Sequence, residues 1–179
     1  MVGDSLSAEY GLKRGTGWVA LLEQRLAKER PGVRVVNASI SGDTTSGGRS
    51  RLPALLLQHK PALVVIELGG NDALRGLPLA MTQDNLETMT RAAQASGARV
   101  LLAGMQVPPN YGQDYARQFS STFERVARDH KAALVPFLLK GVADAPNATA
   151  LFQADRIHPT EAAHPTILKT MWPAVIKLL

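Results

Sequence analysis

Apolar residues recur along the chain in two alternating patterns, one with the spacing of a helix and one of short continuous runs. The helical spacing predicts helices over residues 17–30, 51–59 and about 82–96. It also predicts a later helix whose apolar face contains Tyr115, Phe119, Phe123 and Val126. A C-terminal helix is predicted from an apolar face of Leu168, Met171, Trp172, Val175 and Leu179. The short runs predict strands at residues 33–36, 62–68, 100–107 and 133–137. Strands that alternate with helices predict an α/β fold, a three-layer α/β/α sandwich built on a parallel sheet.

The predicted strands differ in the positions that they favour within this sheet. Residues 62–68 are almost continuously apolar, as expected for a central parallel strand that is covered on both faces. Pro136 favours an edge position for the last strand, because proline cannot donate a hydrogen bond to a neighbour. Residues 37–48 are mostly small and polar, and we expect them to form a loop.

The beginning of the chain leaves little room for a first strand. Only Met1 and Val2 precede the Gly-Asp-Ser stretch at residues 3–5, so the first strand is expected to be truncated. We interpret this abrupt start as a sign that the natural chain has upstream residues. The sequence shows no linker, repeat or low-complexity tract, so residues 1–179 are predicted to form a single domain.

The composition is that of an ordinary globular protein, and it narrows the possible chemistry. Hydrophobic residues make up 45% and charged residues 20% of the 179 positions. The net charge is +5, but the basic residues are scattered and only 5% are aromatic, which argues against a nucleic-acid partner. With no cysteine, the chain has no disulfide, thiolate metal site or thiol nucleophile.

Neither a run of membrane-spanning length nor a signal peptide is found in the sequence. We therefore expect no stable insertion into a membrane. The expected location is the periplasm if a leader precedes this chain in the gene product, and the cytoplasm otherwise.

A candidate nucleophile and a candidate base lie at opposite ends of the chain. Ser5 follows the truncated first strand, and Asp155 and His158 lie in a loop before the last predicted helix. A serine hydroxyl needs a base within hydrogen-bond reach, and a carboxylate can fix the tautomer of that base. In open parallel sheets the active site lies beyond the carboxyl ends of the strands, which is where Ser5 is predicted.

Candidate oxyanion donors follow the next two predicted strands. The backbone N–H groups of Ser5 and Gly42 and the side-chain amide of Asn71 are suited to stabilise a developing negative charge. Taken singly, Gly42 and Asn71 are ordinary turn residues. Their occurrence together with a serine and an Asp-x-x-His pattern favours a shared site. Nothing in the spacing of the acidic residues requires a metal.

A second histidine, His164, competes with His158 for the role of base. Each has a carboxylate three residues earlier and a proline directly after it, so spacing alone does not separate them. His164 is expected in or beside the start of the last helix, whereas His158 is expected in the preceding loop. The loop position favours His158.

Four stretches of the sequence resemble the four conserved blocks of the SGNH (GDSL) hydrolases. They are Gly3-Asp4-Ser5-Leu6-Ser7, Gly42, Gly69-Gly70-Asn71-Asp72 and Asp155-Arg156-Ile157-His158-Pro159. Residues 35–44, 68–72 and 109–112 are similar to one bacterial subfamily of small, multifunctional thioesterases, arylesterases and lysophospholipases. The resemblance covers nearly the whole chain.

This resemblance implies a flavodoxin-like sheet and hydrolysis through an acyl-serine, without metal or cofactor. It implies that Ser5, Asp155 and His158 form the catalytic triad and that Ser5, Gly42 and Asn71 supply the oxyanion donors. It also implies a mobile loop at about residues 73–78 that closes over the acyl chain, and a loop at residues 105–111 that lines the acyl groove. The substrate-binding residues expected in these loops are Leu74, Met105, Val107 and Tyr111.

The function predicted from these features is hydrolysis of small acyl esters and thioesters, such as aryl esters, acyl-CoA and lysophospholipid-like substrates, by a monomer. An acyltransferase would use the same acyl-serine with another acceptor, and a carbohydrate O-deacetylase would prefer acetyl groups. A non-catalytic acyl-binding protein on this fold would not depend on Ser5. Fold alone does not choose among these alternatives.

Overall fold

The structure is a computed structural model that describes the backbone of residues 1–179 and every side chain except that of residue 109. The described chain forms a parallel sheet of four strands, in the order β1 (Val2–Gly3), β2 (Leu63–Glu67), β3 (Arg99–Ala103) and β4 (Ala133–Val135). The parallel sheet and a very short first strand are as predicted. β4 lies at the edge, as Pro136 indicated.

The centre of the sheet is covered on both faces. Consecutive residues of β2 and β3 are almost all buried, and Val64 pairs with Val100 and Ile66 with Leu102. β1 pairs with β2 so that Gly3 lies opposite Glu67. This register places the residues that follow β1 directly beside the carboxyl end of β2.

The strand predicted at residues 33–36 is not a regular strand. The extended segment over residues 33–40 instead runs beside β1, where the Met1 amino group donates to Val36 O at 2.8 Å. Ala38 N donates to Met1 O at 2.9 Å, and Ile40 N donates to Gly3 O at 3.0 Å. Because β1 has only two residues, it offers too short a partner for a continuous ladder. With this segment included, the order along the sheet is that of a flavodoxin-like fold.

Seven α-helices accompany the sheet in the described chain: α1 (Trp18–Glu29), α2 (Thr45–His59), α3 (Gly70–Leu74), α4 (Leu79–Ala95), α5 (Gln113–Asp129), α6 (Ala148–Leu151) and α7 (His164–Leu178). α2, α4 and α5 pack side by side, and α1 packs on α7, which forms the two helical layers of the predicted sandwich. Large side chains fill the interior, among them Trp18, Phe119 and Phe123, which are at most 1% exposed. No helix of the described chain has both the length and the apolar character needed to cross a membrane.

α2 begins earlier than its apolar pattern predicts, because polar contacts and a small residue support its first turns. The Thr44 side chain accepts a hydrogen bond from Gly47 N, which caps the helix. Gly48 fits against the core, where an added Cβ would lie 2.3 Å from a Leu68 methyl carbon. Residues 45–48, predicted as loop, are therefore helical.

Other boundaries also differ from the prediction. The short helix α3 follows β2 and takes up the first part of the loop predicted at residues 73–78. The closing movement of that loop stays a prediction. α6 was not predicted. β3 ends at Ala103, so Met105 and Val107 leave the strand and enter the following loop.

Candidate active site

Ser5 lies in a tight turn directly after β1. Asp4 O accepts hydrogen bonds from Ser7 N at 3.2 Å and Ala8 N at 2.9 Å, and Asp4 Oδ1 accepts from Leu6 N at 3.0 Å. These contacts bend the chain as soon as it leaves the sheet. Ser5 is thereby presented at the carboxyl edge of the strands, where its side chain lines a cavity.

Three predicted residues form one hydrogen-bonded chain. Ser5 Oγ lies 2.8 Å from His158 Nε2, and His158 Nδ1 lies 2.6 Å from Asp155 Oδ2. Asp155 Oδ1 also accepts from the backbone N–H groups of Ile157 at 2.9 Å and His158 at 3.0 Å. The backbone N–H of His158, together with its ring and the N–H of Ile157, lowers the pKa of Asp155 to about 2. Asp155 is therefore ionised near neutral pH, so His158 Nδ1 carries the proton that it donates.

Two residues that the sequence pattern did not indicate hold this loop in place. Gln153 N donates to His158 O at 2.8 Å, and Gln153 Nε2 donates to Tyr10 O and Pro159 O, each at 3.0 Å. The ring of Tyr10 lies 4.3 Å from that of His158, centroid to centroid. Neither residue belongs to a recognisable motif, and only the tertiary structure places them beside the base.

His164 lies elsewhere and has a different environment. Its Nδ1 accepts a hydrogen bond at 2.9 Å from the N–H of Trp18, the first residue of α1, and its side chain is buried. Burial lowers the pKa of His164, which favours the neutral ring. Of the two competing histidines, the structure places His158 against Ser5 and His164 at the start of α1.

Asn71 connects the two segments that carry the other predicted oxyanion donors, Ser5 N and Gly42 N, and its own hydrogen bonds differ from expectation. In the described part of the chain, neither Ser5 N nor Gly42 N donates to another protein group. Gly42 has φ +78°, a backbone conformation that favours glycine. Asn71 Nδ2 donates to Asp4 Oδ2 at 3.0 Å and to Asp43 O at 2.9 Å, so both of its amide hydrogens already have protein acceptors. Asn71 must share or exchange one of them to contact a substrate.

Asp72, which follows Asn71 in the same sequence block, has a structural position. It is 1% exposed, and its Oδ2 accepts from Thr45 N at 2.9 Å at the start of α2. Its Oδ1 accepts from the hydroxyl groups of Thr45 and Thr82. Asp72 thus joins α2, α3 and α4 beneath the site. The described residues contain no group of three or more His, Cys, Asp or Glu side chains placed to hold a metal ion.

A cavity of about 500 Å³ opens beside Ser5 and His158. Its lining includes all four predicted substrate-binding residues, Leu74, Met105, Val107 and Tyr111. The side chain of residue 109, in the loop predicted to line the groove, lies outside the described part. A further set of apolar lining residues was not predicted: Phe137, Leu139, Ala143, Phe152 and Ile157.

A serine, a histidine and an aspartate joined by short hydrogen bonds at the carboxyl edge of a parallel sheet form the arrangement of a serine hydrolase. Comparison with known proteins agrees with this class. A model of the GDSL-like Lipase/Acylhydrolase family matches residues 1–165. The chain therefore belongs to this family of ester hydrolases.

Individual relatives are similar over almost the whole chain. The chain is 56% identical to "Esterase TesA" of Pseudomonas aeruginosa over 179 residues, which cover 100% of this chain and 88% of that protein. It is 40% identical to "Thioesterase 1/protease 1/lysophospholipase L1" of Escherichia coli over 171 residues, covering 96% of this chain and 79% of that protein. A crystal structure of TesA superposes with a TM-score of 0.95 at 56% identity and covers 99% of this chain and 97% of that one.

Proposed function

We propose that the protein hydrolyses acyl esters and thioesters through an acyl-serine intermediate formed on Ser5. The observation that carries this proposal is the hydrogen-bonded chain from Ser5 through His158 to Asp155, with spacings of 2.8 Å and 2.6 Å, at the wall of an apolar cavity. The names of the esterase and thioesterase relatives support both substrate classes.

In the first step Ser5 Oγ attacks the acyl carbonyl carbon while His158 Nε2 takes the hydroxyl proton. The His158 ring is oriented for this transfer, because its Nδ1–H donates to the ionised Asp155 and its Nε2 is left free to accept the proton. Asp155 also stabilises the imidazolium that forms, without taking a proton itself. The carbonyl oxygen becomes an oxyanion, bound by Ser5 N–H, Gly42 N–H and the amide of Asn71.

In the second step the tetrahedral intermediate collapses and His158 gives its proton to the leaving alkoxide or thiolate. The acyl group remains bonded to Ser5 Oγ. Water then attacks the acyl-serine, with His158 as general base, and a second tetrahedral intermediate releases the carboxylic acid and restores the Ser5 hydroxyl. The same three side chains and the same donors serve both halves of the reaction.

The cavity supports a substrate with an apolar acyl chain. Its lining includes Leu74, Met105, Val107 and Tyr111, together with Phe137 and Phe152 from later segments of the chain. Apolar walls bind methylene groups with little selection for polar features, so aryl esters, acyl-CoA and lysophospholipid-like substrates share one acyl site. All the groups invoked belong to one chain, so the proposed reaction needs no residue from a second copy.

The test is acid release from a series of chromogenic aryl esters with acyl chains from two to about twelve carbons, and from a matched acyl thioester. Turnover of both classes by the wild type, with loss of at least about a thousandfold in Ser5→Ala, is the expected result. Equal rates in the two proteins would overturn the proposal.

Product analysis with added alcohol separates the alternatives. Accumulation of the free acid as the main product supports hydrolysis, whereas ester formation at the expense of acid would indicate an acyltransferase. Confinement of activity to acetyl groups would indicate a deacetylase instead.

A further inference from the structure

Two buried carboxyl groups, those of Asp4 and Glu67, lie next to each other beneath Ser5. Asp4 directly follows β1, and Glu67 is the last residue of β2. Because Gly3 pairs with Glu67 in the sheet, the two acidic residues meet at the carboxyl edge. Asp4 is 2% and Glu67 0% exposed, which is unusual for acidic side chains and calls for a physical reason.

Glu67 holds the turn that carries Ser5. Its Oε2 accepts hydrogen bonds from Asp4 N at 3.2 Å and from Ser7 Oγ at 2.8 Å. Trp18 Nε1 donates in turn to Ser7 Oγ at 3.2 Å. A Cβ on Gly3 would lie 2.7 Å from Glu67 Oε2, so glycine at this position allows the close approach of the carboxyl group. The residues on both sides of Ser5 are thus tied to Glu67.

Asp4 continues this connection to the oxyanion donors. Its Oδ1 accepts from Leu6 N at 3.0 Å and its Oδ2 accepts from Asn71 Nδ2 at 3.0 Å. Asn71 in turn donates to Asp43 O, next to Gly42. A continuous set of contacts therefore runs from Glu67, through Asp4 and Asn71, to the loop that contains Gly42.

The charges of the two carboxyl groups depend on each other. Burial raises the pKa of Asp4 to about 6. Burial and the neighbouring Asp4 charge raise the pKa of Glu67 well above its ordinary range. Two adjacent buried carboxylates are not both ionised near neutral pH, and the fully buried Glu67 is the one that keeps its proton. Asp4, closer to His158, carries the charge.

The protonation of Glu67 has a consequence for catalysis. Two carboxylates beside the oxyanion donors would oppose the negative charge that develops on the substrate, whereas a carboxylate and a carboxylic acid place only one charge there. The hydrogen bonds that Glu67 Oε2 accepts from Ser7 Oγ and Asp4 N favour the ionised form, but burial and the neighbouring Asp4 charge outweigh them and keep the pKa of Glu67 raised. Its Oε1, which is buried and has no hydrogen-bond partner among the described residues, is the less costly to leave unpaired when the group is neutral.

We propose that Glu67 is a positioning residue for the oxyanion-binding part of the site. It acts through Asp4, by fixing the backbone turn at Ser5 and the side chain of Asn71, and it does not touch the substrate. This inference rests on the proposed function, because it assigns to Asn71 and Ser5 N–H the role of oxyanion donors.

The test compares Glu67→Gln, Glu67→Leu and Glu67→Asp in steady-state hydrolysis of a short chromogenic aryl ester. Glutamine keeps an acceptor for Asp4 N and Ser7 Oγ and adds no charge, so kcat is expected within about threefold of the wild type. Leucine removes the acceptor and aspartate withdraws it by one methylene group. For both we expect kcat to fall by about tenfold or more, with KM nearly unchanged, because only the transition state carries the oxyanion.

Two controls separate positioning from a general loss of structure. Circular dichroism and thermal unfolding identify variants that fold. Thr90→Val changes another fully buried polar group, on α4, whose Oγ1 has no partner among the described residues. It is expected to alter stability but not kcat. A double variant, Glu67→Leu with Asn71→Ala, should lose much less than the product of the two single effects, because Glu67 acts partly through Asn71.

A folded Glu67→Leu variant with wild-type kcat, or an additive double variant, would overturn the inference. If Glu67→Leu does not fold, the other two variants decide: a lowered kcat in Glu67→Asp with an intact Glu67→Gln supports the proposal, and equal kcat in both contradicts it. Wild-type protein without Ser5-dependent turnover would overturn the proposed function itself, which is a separate result.

Discussion

At the scale of single residues, two aspartates of the site differ in how they carry charge. Asp155 accepts three hydrogen bonds from Ile157 and His158, and its side chain is 37% exposed. These contacts hold its pKa at about 2, so it is ionised at every pH at which the protein is expected to work. Asp4 is buried, and its pKa of about 6 makes its charge depend on pH. Asp155, the partner of the base, therefore keeps a constant charge, whereas the charge of Asp4, beside the nucleophile, changes with pH.

The two histidines provide a test at this scale. His158→Ala removes the general base and is expected to lower kcat by at least about a thousandfold with little loss of stability. His164→Ala removes the buried acceptor of Trp18 N, so it is expected to lower the free energy of unfolding by about 1–3 kcal/mol and to leave kcat within about threefold. Ester hydrolysis and urea denaturation of both variants measure this. The reverse pattern would assign the base to His164.

The raised pKa of Asp4 predicts a specific dependence of stability on pH. The folded state binds the Asp4 proton more tightly than the unfolded chain, whose aspartate pKa is about 4. The contribution of Asp4 to the free energy of unfolding therefore falls as the pH rises from about 4 to about 6. Urea denaturation across this range should show a smaller decrease for Asp4→Asn than for the wild type. Equal decreases in the two proteins would show that Asp4 does not titrate in this window.

At the scale of elements, the segments around the site are fastened by buried polar groups as much as by apolar packing. Arg51, on α2, donates to Ala38 O and Gly3 O and forms a 2.8 Å ion pair with Asp43. These contacts fasten the extended segment and the Gly42 loop to β1. Asp72 performs a similar role for the beginning of α2.

Asp72 and Asp84 form a matched pair for measuring this effect. Asp72→Ala leaves Thr45 N and two threonine hydroxyl groups without their acceptor in the interior, so the free energy of unfolding is expected to fall by about 3 kcal/mol. Asp84→Ala removes only an exposed ion pair with Arg49, whose side chains are 61% and 44% exposed, and is expected to cost less than about 1 kcal/mol. Urea denaturation gives both values. Similar losses in the two variants would show that the Asp72 network adds little.

The elements that were predicted best from the sequence are those that depend on apolar periodicity. The central strands and the helices α1, α4, α5 and α7 were found, because each presents an apolar face or run. The start of α2 was missed, because it depends on Thr44 capping and on Gly48 fitting beneath Leu68. The segment at residues 33–36 has the composition of a strand, but its neighbour β1 is too short to complete a ladder.

The residues of the site also divide into those that a sequence pattern marks and those that only tertiary contacts bring into place. The positions of Ser5, Asn71 and His158 follow from strand ends and from motif resemblance, and the structure brings them together; their roles stay predictions. Glu67 was read as part of an apolar strand, since nothing in its neighbours along the chain marks it as buried beside Asp4. Tyr10 was missed for the same reason. Such contacts arise from register and loop conformation, which the sequence pattern does not specify.

At the scale of the whole molecule, the predicted single domain and monomer can be tested together. The strands share one continuous sheet, and buried residues from both helical layers belong to one hydrophobic core. We expect a single cooperative unfolding transition and a sedimentation mass near 19.2 kDa. Intrinsic fluorescence and circular dichroism should give the same denaturation midpoint. Two separate transitions would contradict the single domain, and a mass near twice this value would contradict the monomer.

The central claim is that Ser5 is the nucleophile, and covalent labelling tests it most directly. The protein is treated with a fluorophosphonate, which phosphonylates activated serine hydroxyl groups, and the modified peptide is identified by mass spectrometry. We predict one label per chain, on Ser5, with ester hydrolysis lost in proportion to labelling and no label in Ser5→Ala. A label on another residue, or full activity in a protein labelled at Ser5, would contradict the claim.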